Sequence, residues 1–222
     1  MKRVLLLLLS ISLLLVACST KYVCPDGSTV TDVNSCPQSK APAKALSAEI
    51  EDILSKSKNV ESMSYDYKRV DKPLERPVHV WIKKLMVKRE FNVQTEVLNK
   101  NEKDVIIFNL ADKTATVYCE SKKFCIKTGN VGAVDFNQYY VKTPLDWVDG
   151  VTSAEKKGEA RLANRNVWIL QLDENVTLWV DTYFGVPLRV DNGQERYEFQ
   201  NSIFNSVEEK DVQFIEREDR YS

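Results

Sequence analysis

A two-residue alternation of apolar and polar side chains runs through most of this chain and restricts it to folds built from β-strands. Met63, Tyr65 and Tyr67 alternate with polar residues, a pattern typical of a strand that buries one of its faces. Further segments of this kind follow, divided by turn signals such as Asp191-Asn192-Gly193. The strand candidates are residues 62–69, 78–91, 95–99, 104–109, 114–119, 123–128, 159–164, 166–172, 176–181, 186–191, 195–204 and 211–215.

One helix is predicted ahead of the strands. The apolar residues from Leu46 to Leu54 recur at the i, i+4, i+7 and i+8 spacing of a single helical face, and Ser47 is a suitable N-cap. Residues 133–141 are a second helix candidate. A helix followed by roughly ten antiparallel strands predicts a mainly β (α+β) domain. Its sheet would be strongly curved, or an open barrel, and would enclose an interior.

The first residues predict an export signal. Met1-Lys2-Arg3 is a short basic start, and the apolar run that follows has about 14 residues, whereas a helix needs about 20 to span a bilayer. Leu15-Val16-Ala17-Cys18 resembles a bacterial lipobox, in which small residues precede a cysteine that is acylated and becomes the new N-terminus. The alternative is an ordinary signal peptide with an incidental cysteine. We expect Cys18 to be the lipidated residue.

The four other cysteines form two sequence-local pairs. Eleven residues separate Cys24 from Cys36, and Cys119 and Cys125 flank a predicted hairpin tip. Four cysteines allow three connectivities, of which we predict Cys24–Cys36 and Cys119–Cys125. A four-thiolate zinc site is the rival interpretation, but neither spacing matches the Cys-x2-4-Cys knuckles of structural zinc. We therefore predict disulfide bonds and no metal site.

These features divide the chain into four parts. We predict a lipoprotein signal peptide at residues 1–17, a module with the anchor cysteine and one disulfide at 18–36, a linker rich in Pro, Ala and Lys at 37–45, and the main domain at 46–222. A diacylglyceryl group on Cys18 would make the membrane a partner of the chain. The protein would then lie on the outer side of the cytoplasmic membrane or in the outer membrane.

Charge and residue types argue against several classes of function. The chain has 31 Lys and Arg against 32 Asp and Glu, so no basic excess favours nucleic acid as a partner. His79 is the single histidine, and we interpret it as a structural or surface residue because the sequence offers it no catalytic partner. No G-x-S-x-G, H-E-x-x-H or P-loop pattern occurs. We predict a protein that is not an enzyme and that uses no cofactor.

Aromatic residues are concentrated in the strand candidates, and two interpretations apply to them. They either fill an ordinary barrel core or form a concave apolar surface that accepts a lipid or a partner segment. The candidate cavity-lining residues are Trp81, Phe91, Trp168, Trp179, Tyr197 and Phe199.

A single N-x-[ST] sequon occurs, in a predicted turn. It consists of Asn175, Val176 and Thr177. Because turns are exposed, Asn175 is a candidate glycosylation site, with occupancy set by the host.

The order of motifs in the C-terminal half resembles a known protein family. Trp168-Ile-Leu, Trp179-Val-Asp181, Pro187-Leu-Arg189, Tyr197-Glu-Phe199 and Phe204-Asn205 follow one another at hairpin spacing. This order is similar to the outer-membrane lipoprotein carrier family, with its LolA/LolB-like fold, and to its relatives, the LppX-type lipoproteins and the regulator RseB. The resemblance extends loosely over residues 46–215 and is most specific over 158–205.

The resemblance implies a half-open antiparallel β-barrel with the amphipathic helix on its concave side and an apolar cavity for acyl chains. It further implies a carrier-like lipoprotein, anchored to the membrane, that binds lipid or the acyl chains of another lipoprotein. The alternative that it implies is a non-catalytic envelope sensor or docking protein of the RseB kind, with an envelope protein as partner. The tether at Cys18 departs from the carrier itself, which is soluble, and agrees with its receptor partner and the LppX-type proteins. The two predicted disulfide loops depart from the family pattern.

Overall fold

The computed structural model describes residues 21–23, 29–31, 45–72, 77–90, 104–121 and 128–216. The chain divides into two compact units, Met1–Ala43 and Lys44–Ser222. In the first unit, β1 (Tyr22–Val23) pairs antiparallel with β2 (Thr29–Val30). Several predicted features lie outside the described residues: Cys18, Cys24, Cys36, Phe91, Cys125 and the strand candidate 95–99.

The described part of the second unit contains four short helices and eleven strands. The helices are α1 (Ala48–Ser55), a 3-10 helix (Lys56–Asn59), α2 (Phe136–Tyr139) and a second 3-10 helix (Glu209–Val212). The strands are β3 (Ser62–Arg69), β4 (Val78–Lys83), β5 (Met86–Glu90), β6 (Val105–Asn109), β7 (Thr114–Cys119), β8 (Gly129–Val134), β9 (Glu155–Leu162), β10 (Arg165–Gln171), β11 (Thr177–Asp181), β12 (Pro187–Asp191) and β13 (Arg196–Phe204). No helix among these residues is long and apolar enough to cross a membrane.

The eleven strands form one antiparallel sheet in the order β8-β7-β6-β5-β4-β3-β13-β12-β11-β10-β9. β3 and β13 pair at its centre, where Tyr67 lies opposite Phe199. Each half of the sheet is a meander that ends at an edge strand, β8 or β9. Among the described strands these two edges do not pair, so the sheet stays open. The predicted fold class, a mainly antiparallel, half-open β fold with one amphipathic helix, is confirmed.

Helix α1 forms where the sequence predicts it. The Ser47 hydroxyl accepts a hydrogen bond from the backbone N–H of Ile50 at 3.4 Å, so an N-cap defines the first turn. Ile50, Ile53 and Leu54 are buried and pack into the hydrophobic core of the sheet. The side of the sheet that carries α1 is called the inner face below, and the opposite side the outer face.

The hydrophobic core fills the inner face. Its side chains alternate along the strands as the period of two requires, and each buried aliphatic or aromatic side chain stabilises the fold by about 1.5–3 kcal/mol. The crossover from β8 to β9, residues 135–154, covers part of this core. There Phe108 meets Phe136 and Tyr140 edge to face, at centroid distances of 5.7 and 5.4 Å.

The segment 78–91, predicted as one long strand, is instead a hairpin. It divides into β4 and β5 around a turn in which Lys84 takes a left-handed φ of 52°. The turn shifts the alternation, so that Val80 and Ile82 share the inner face with Val87 and Arg89. Lysine and leucine in a tight turn carry no sequence signal, because such turns favour Gly, Asn and Asp.

Two other boundaries differ from those predicted. β9 begins four residues earlier than the candidate 159–164 and ends at Leu162. The strand candidate 211–215 is a 3-10 helix to Val212 followed by an irregular segment. Val212, the last residue of that 3-10 helix, is the buried apolar residue of the segment. The helix candidate at 133–141 contains α2.

Candidate functional site

The interior of the inner face is packed with side chains. Tyr197 and Phe199, two of the residues predicted to line a cavity, are 7% and 2% exposed. Phe199 meets Tyr65 edge to face with ring centroids 5.2 Å apart. Burial raises the pKa of the Tyr65 phenol well above its ordinary value, which keeps it neutral. A space of about 10 Å³ beside Tyr65, bounded by Phe108 and by Tyr140 of the crossover, has room for about one water and is too small for an acyl chain.

A much larger space lies beside α1, where the helix meets β9 and β10. This helix–strand cleft has a volume of about 780 Å³, within the usual range of ligand pockets. Its lining residues are Ala48, Glu49, Asp52 and Ile53 from α1, Lys56 from the 3-10 helix that follows, Glu159, Ala160, Asn166, Val167 and Trp168 from β9 and β10, and Thr182 from the turn after β11.

Trp168 is the aromatic element of the helix–strand cleft. It lies on the same face of β10 as the fully buried Leu170, and the Lys156 ammonium sits 3.5 Å above its ring centroid. Lys156 also pairs with Glu159 at 2.6 Å. A cation over an indole face is a favourable contact that leaves the ring accessible once the flexible lysine moves. Lys156 therefore covers one face of the Trp168 ring, and Trp168 itself lines the cleft.

The far end of α1 is fixed to the sheet at the turn between β11 and β12. Gly185 has a left-handed φ of 68°, and a Cβ atom there would overlap the carbonyl oxygen of Ile53. The Lys56 ammonium donates to the carbonyl of Thr182 at 3.2 Å. Asp181, 2% exposed, accepts the backbone N–H groups of Tyr183 and Phe184 at 2.8 Å each and so shapes this turn. These contacts hold the helix at a set distance from β10 and keep the cleft open.

A second cleft of about 540 Å³ lies on the other side of α1, against the crossover. Leu54 and Val60 face Leu145 and Val148 across it. The Asp146 carboxylate fixes the crossover wall, because it accepts hydrogen bonds from the Tyr140 hydroxyl at 2.6 Å and from both the backbone N–H and the hydroxyl of Thr143. Burial, followed by the bond to Asp146, raises the pKa of Tyr140 well above its ordinary value.

The remaining predicted cavity residues lie elsewhere. Trp81 and Trp179 are on the outer face, where Trp81 lies beside His79 at 4.1 Å and Trp179 lies under the Arg189 guanidinium at 5.4 Å. The five predicted residues that the structure describes are therefore not brought together: Tyr197 and Phe199 are core, and of the five only Trp168 lines the helix–strand cleft.

The single histidine is also on the outer face. His79 Nδ1 lies 2.5 Å from an Asp66 carboxylate oxygen, and Asn201 donates to the other Asp66 oxygen at 2.7 Å. Within the described ranges, no cluster of three His, Cys, Asp or Glu side chains is arranged to hold a metal ion.

Cys119 and Asn175 are the other predicted sites within the described residues. Cys119 is 1% exposed and disulfide-bonded, while its pairing with Cys125 stays a prediction. Asn175 is exposed in the turn between β10 and β11, and its glycosylation also stays a prediction.

Sequence reasoning missed the polar residues of the helix–strand cleft. Asp52, Glu159 and Asn166 carry no motif, because they come from three elements that meet only when β9 and β10 close against the helix. Lys156 and Trp168 do lie on paired strands, but Lys156 is opposite Leu170 and Glu159 is opposite Trp168, a register that the sequence does not signal.

Solved structures of other proteins are similar to this fold, whereas the sequence comparisons find no match. No protein-family model and no curated protein matches the sequence. A chain from the complex of Pseudomonas aeruginosa MucA and MucB is similar with a TM-score of 0.40 and 12% identity, covering 74% of this chain and 59% of that one. LprF from Mycobacterium bovis is similar with a TM-score of 0.41 and 13% identity, covering 74% of this chain and 96% of that one.

A further similar structure is MucB in complex with MucA(peri), with a TM-score of 0.36 and 14% identity, covering 75% of this chain and 58% of that one. This chain thus spans about three fifths of the length of the chains that it matches in the two MucB complexes. MucB and LprF are proteins of the LolA, LppX and RseB type, the type that residues 158–205 resemble in sequence.

Proposed function

We propose that this chain is an exported, membrane-anchored binding protein that holds an acyl chain of a lipid or lipoprotein in the helix–strand cleft and carries out no chemistry. The observation that carries the proposal is the composition of that cleft. Ile53, Val167 and Trp168 supply an apolar floor, while Glu49 and Asp52 supply a charged rim. An amphiphile matches this arrangement, with its chain on the floor and its polar head at the rim.

The packed inner face determines how such a ligand binds. The space beside Tyr65 and Phe108 is only about 10 Å³, so we place the acyl chain in the open cleft beside α1. Each methylene that leaves water contributes about 0.8 kcal/mol, and an open cleft buries only part of the chain. Binding is therefore reversible, as transfer of a ligand between partners requires.

The anchor belongs to the same proposal. Acylation at Cys18 would place the domain at a membrane, and the linker at residues 37–45 would let it reach ligands in that membrane. Disulfides Cys24–Cys36 and Cys119–Cys125 suit an exported protein, since such bonds persist in oxidising compartments.

Native mass spectrometry of the chain extracted from its own membrane tests the proposal. We expect a bound amphiphile of defined mass. An excess of fatty acid, added without detergent, should displace it. Trp168→Ala should lose that ligand, whereas Trp179→Ala should keep it. The two tryptophans lie on neighbouring strands under a cation each, but only Trp168 lines the cleft. Equal retention by both variants, or absence of any ligand, would refute the proposal.

A second function, docking of an envelope protein, is supported by an exposed aromatic corner of the sheet. Tyr183 is 76% exposed and meets Phe184 edge to face, and Phe184 stacks on Phe204 at 4.0 Å. Ile203 beside Phe204 is 56% exposed. Apolar surface of this kind often marks a protein contact. A photo-crosslinking residue at position 183 should capture one stoichiometric protein in intact cells, and the same residue at exposed position 130 should not.

A further inference from the structure

The outer face of the sheet is crossed by a C-terminal arm, residues 206–216, which leaves β13 at a fixed hinge. Asn205 forms the hinge in a left-handed conformation, φ 56°. Its side-chain oxygen accepts the backbone N–H of Glu61 at 2.8 Å, and its side-chain amide donates to the carbonyl of Asn59 at 3.2 Å. The arm then runs from β4 and β5 to β7. All its anchoring contacts are therefore with residues far away in sequence.

A buried ion pair holds the main chain of the arm. Lys88 and Glu120 have fully buried side chains, 0% exposed, and their charged groups are 2.7 Å apart. The Lys88 ammonium donates to the carbonyl of Gln213 at 2.9 Å, and the Glu120 carboxylate accepts the N–H of Ile215 at 2.9 Å. The pair thus recognises two backbone groups two residues apart in an extended segment.

Side chains of the arm complete the fit. Phe214 stacks on Tyr118 with ring centroids 5.3 Å apart, and Val212 is 1% exposed. An exposed ion pair of 2.8 Å joins Glu209 to Lys84 at the near end of the arm. The groove on the outer face therefore recognises this segment through both its backbone and its side chains.

The buried pair makes an empty groove unfavourable. If the arm left, Lys88 and Glu120 would each lose a hydrogen bond to the main chain while water entered a site built around two charges, and buried ions without their partners are strongly destabilising. An incoming segment with the same sequence restores every one of these contacts. Replacement of the arm is thus favoured over its simple loss, and the segment known to fit is the arm itself.

We propose that this outer-face groove binds the C-terminal arm of a second copy of the chain, so that two copies exchange arms about the Asn205 hinge. Exchange of an identical element needs no new contact, because each groove keeps the same set of partners. The resulting contact is symmetric, with each copy giving one arm and receiving one. It uses the outer face and is independent of the helix–strand cleft and its ligand.

Isotope mixing tests the exchange on the full-length chain. Equal amounts of unlabelled and heavy-nitrogen-labelled protein are incubated at high concentration, diluted and treated with a water-soluble carbodiimide. The reagent activates the Glu209 carboxylate, and the Lys84 amine attacks it to form an amide while the carbodiimide becomes its urea. Digestion and mass spectrometry then show whether Lys84 and Glu209 of each crosslink came from one copy or from two.

We expect mixed-label crosslinks to increase with incubation time. Once the exchange has reached equilibrium, crosslinks between exchanged copies should join unlike labels as often as like labels. Glu209→Gln should abolish the crosslink and so verifies its assignment. Same-label crosslinks alone, at every concentration and time, would overturn the proposal.

A variant pair links the exchange to the buried ion pair. Lys88→Met removes the bond to Gln213 and should make mixed-label crosslinks appear several-fold faster. Lys210→Met is the matched control, because Lys210 is exposed and pairs with Glu208 inside the arm itself. Equal exchange rates for both variants would contradict control by the Lys88–Glu120 pair.

Discussion

Gly185 packs directly against the main chain of Ile53, so closely that a Cβ atom on Gly185 would overlap the Ile53 carbonyl oxygen and lie 2.9 Å from the backbone nitrogen of Ser57. This contact sets the distance between α1 and the turn that follows β11. The width of the helix–strand cleft therefore depends on a residue with no side chain.

We expect Gly185→Ala to destabilise the fold by more than about 2 kcal/mol, because left-handed strain adds to the overlap with backbone atoms. Gly150→Ala is the matched control: Gly150 has the same φ of 68°, but a Cβ atom added to it would meet no described atom within 4 Å. That variant should lose only about 1 kcal/mol. Urea denaturation measures both, and equal losses would show that the close approach to Ile53 is unimportant.

Lys88→Met should destabilise the chain by about 3–5 kcal/mol, because it leaves the Glu120 carboxylate buried without its counter-ion. The double variant Lys88→Met, Glu120→Leu should recover part of this loss, since no charge is then buried. Lys84→Met breaks the exposed pair with Glu209 and should leave stability nearly unchanged, because water already screens both charges. Denaturant melts of the three variants give the comparison, and a double variant worse than Lys88→Met would contradict it.

Acid should weaken the hairpin formed by β12 and β13. Burial raises the pKa of Glu198, but hydrogen bonds from Gln200 and Arg189, with the charge of Arg189, outweigh it and hold that pKa below its ordinary value. The folded state thus binds fewer protons than the unfolded state. The stabilisation is present above the ordinary carboxyl pKa and is lost as pH falls through the folded pKa.

Arg189→Met should therefore raise the pKa of Glu198 and reduce the stability lost on acidification. Asp191 is the internal control, because the hydrogen bond from Arg196 is the main cause of its own lowered pKa. Carboxyl chemical shifts followed by NMR against pH report both groups. A parallel shift of Asp191, or an unchanged Glu198, would show that Arg189 does not act on Glu198 specifically.

A glycine at position 205 should destabilise the fold less than an alanine. Asn205→Gly removes the side-chain bonds to Glu61 and Asn59 and should destabilise the chain by about 1–2 kcal/mol. Asn205→Ala also places a Cβ residue without a polar side chain at φ 56°, which costs about 1 kcal/mol more. Thermal melts rank the two variants, and a more stable alanine variant would argue against a left-handed hinge.

The sequence predicts the strands of the C-terminal half well because its turns carry strong signals. Asp191-Asn192-Gly193 and the left-handed Gly185 separate segments whose alternation is clear, and β10 to β13 follow the predicted order. Local chemistry is sufficient there, since each hairpin turn selects residues of restricted conformation.

The helix–strand cleft and the buried ion pair could not be predicted in the same way. Lys88 opens the charged run Lys88-Arg89-Glu90, which is typical of exposed residues, yet it is buried where the arm from the end of the chain packs on it. The tryptophans were indistinguishable by sequence, because the face each one occupies depends on strand register and on the unsignalled turn at Lys84. Burial of polar groups is decided by long-range contacts that periodicity does not contain.

The pairing of β3 with β13 also affects the order in which this domain folds. The seam at the centre of the sheet joins residues near opposite ends of the domain, such as Tyr67 and Phe199, whereas each lateral half consists of hairpins between sequence neighbours. Contacts that close long loops form slowly, so joining of the two halves is expected to be the slow step of folding. During synthesis from the N-terminus, the early hairpins can form first. The hydrophobic core is completed only after β13 has been synthesised and has paired with β3.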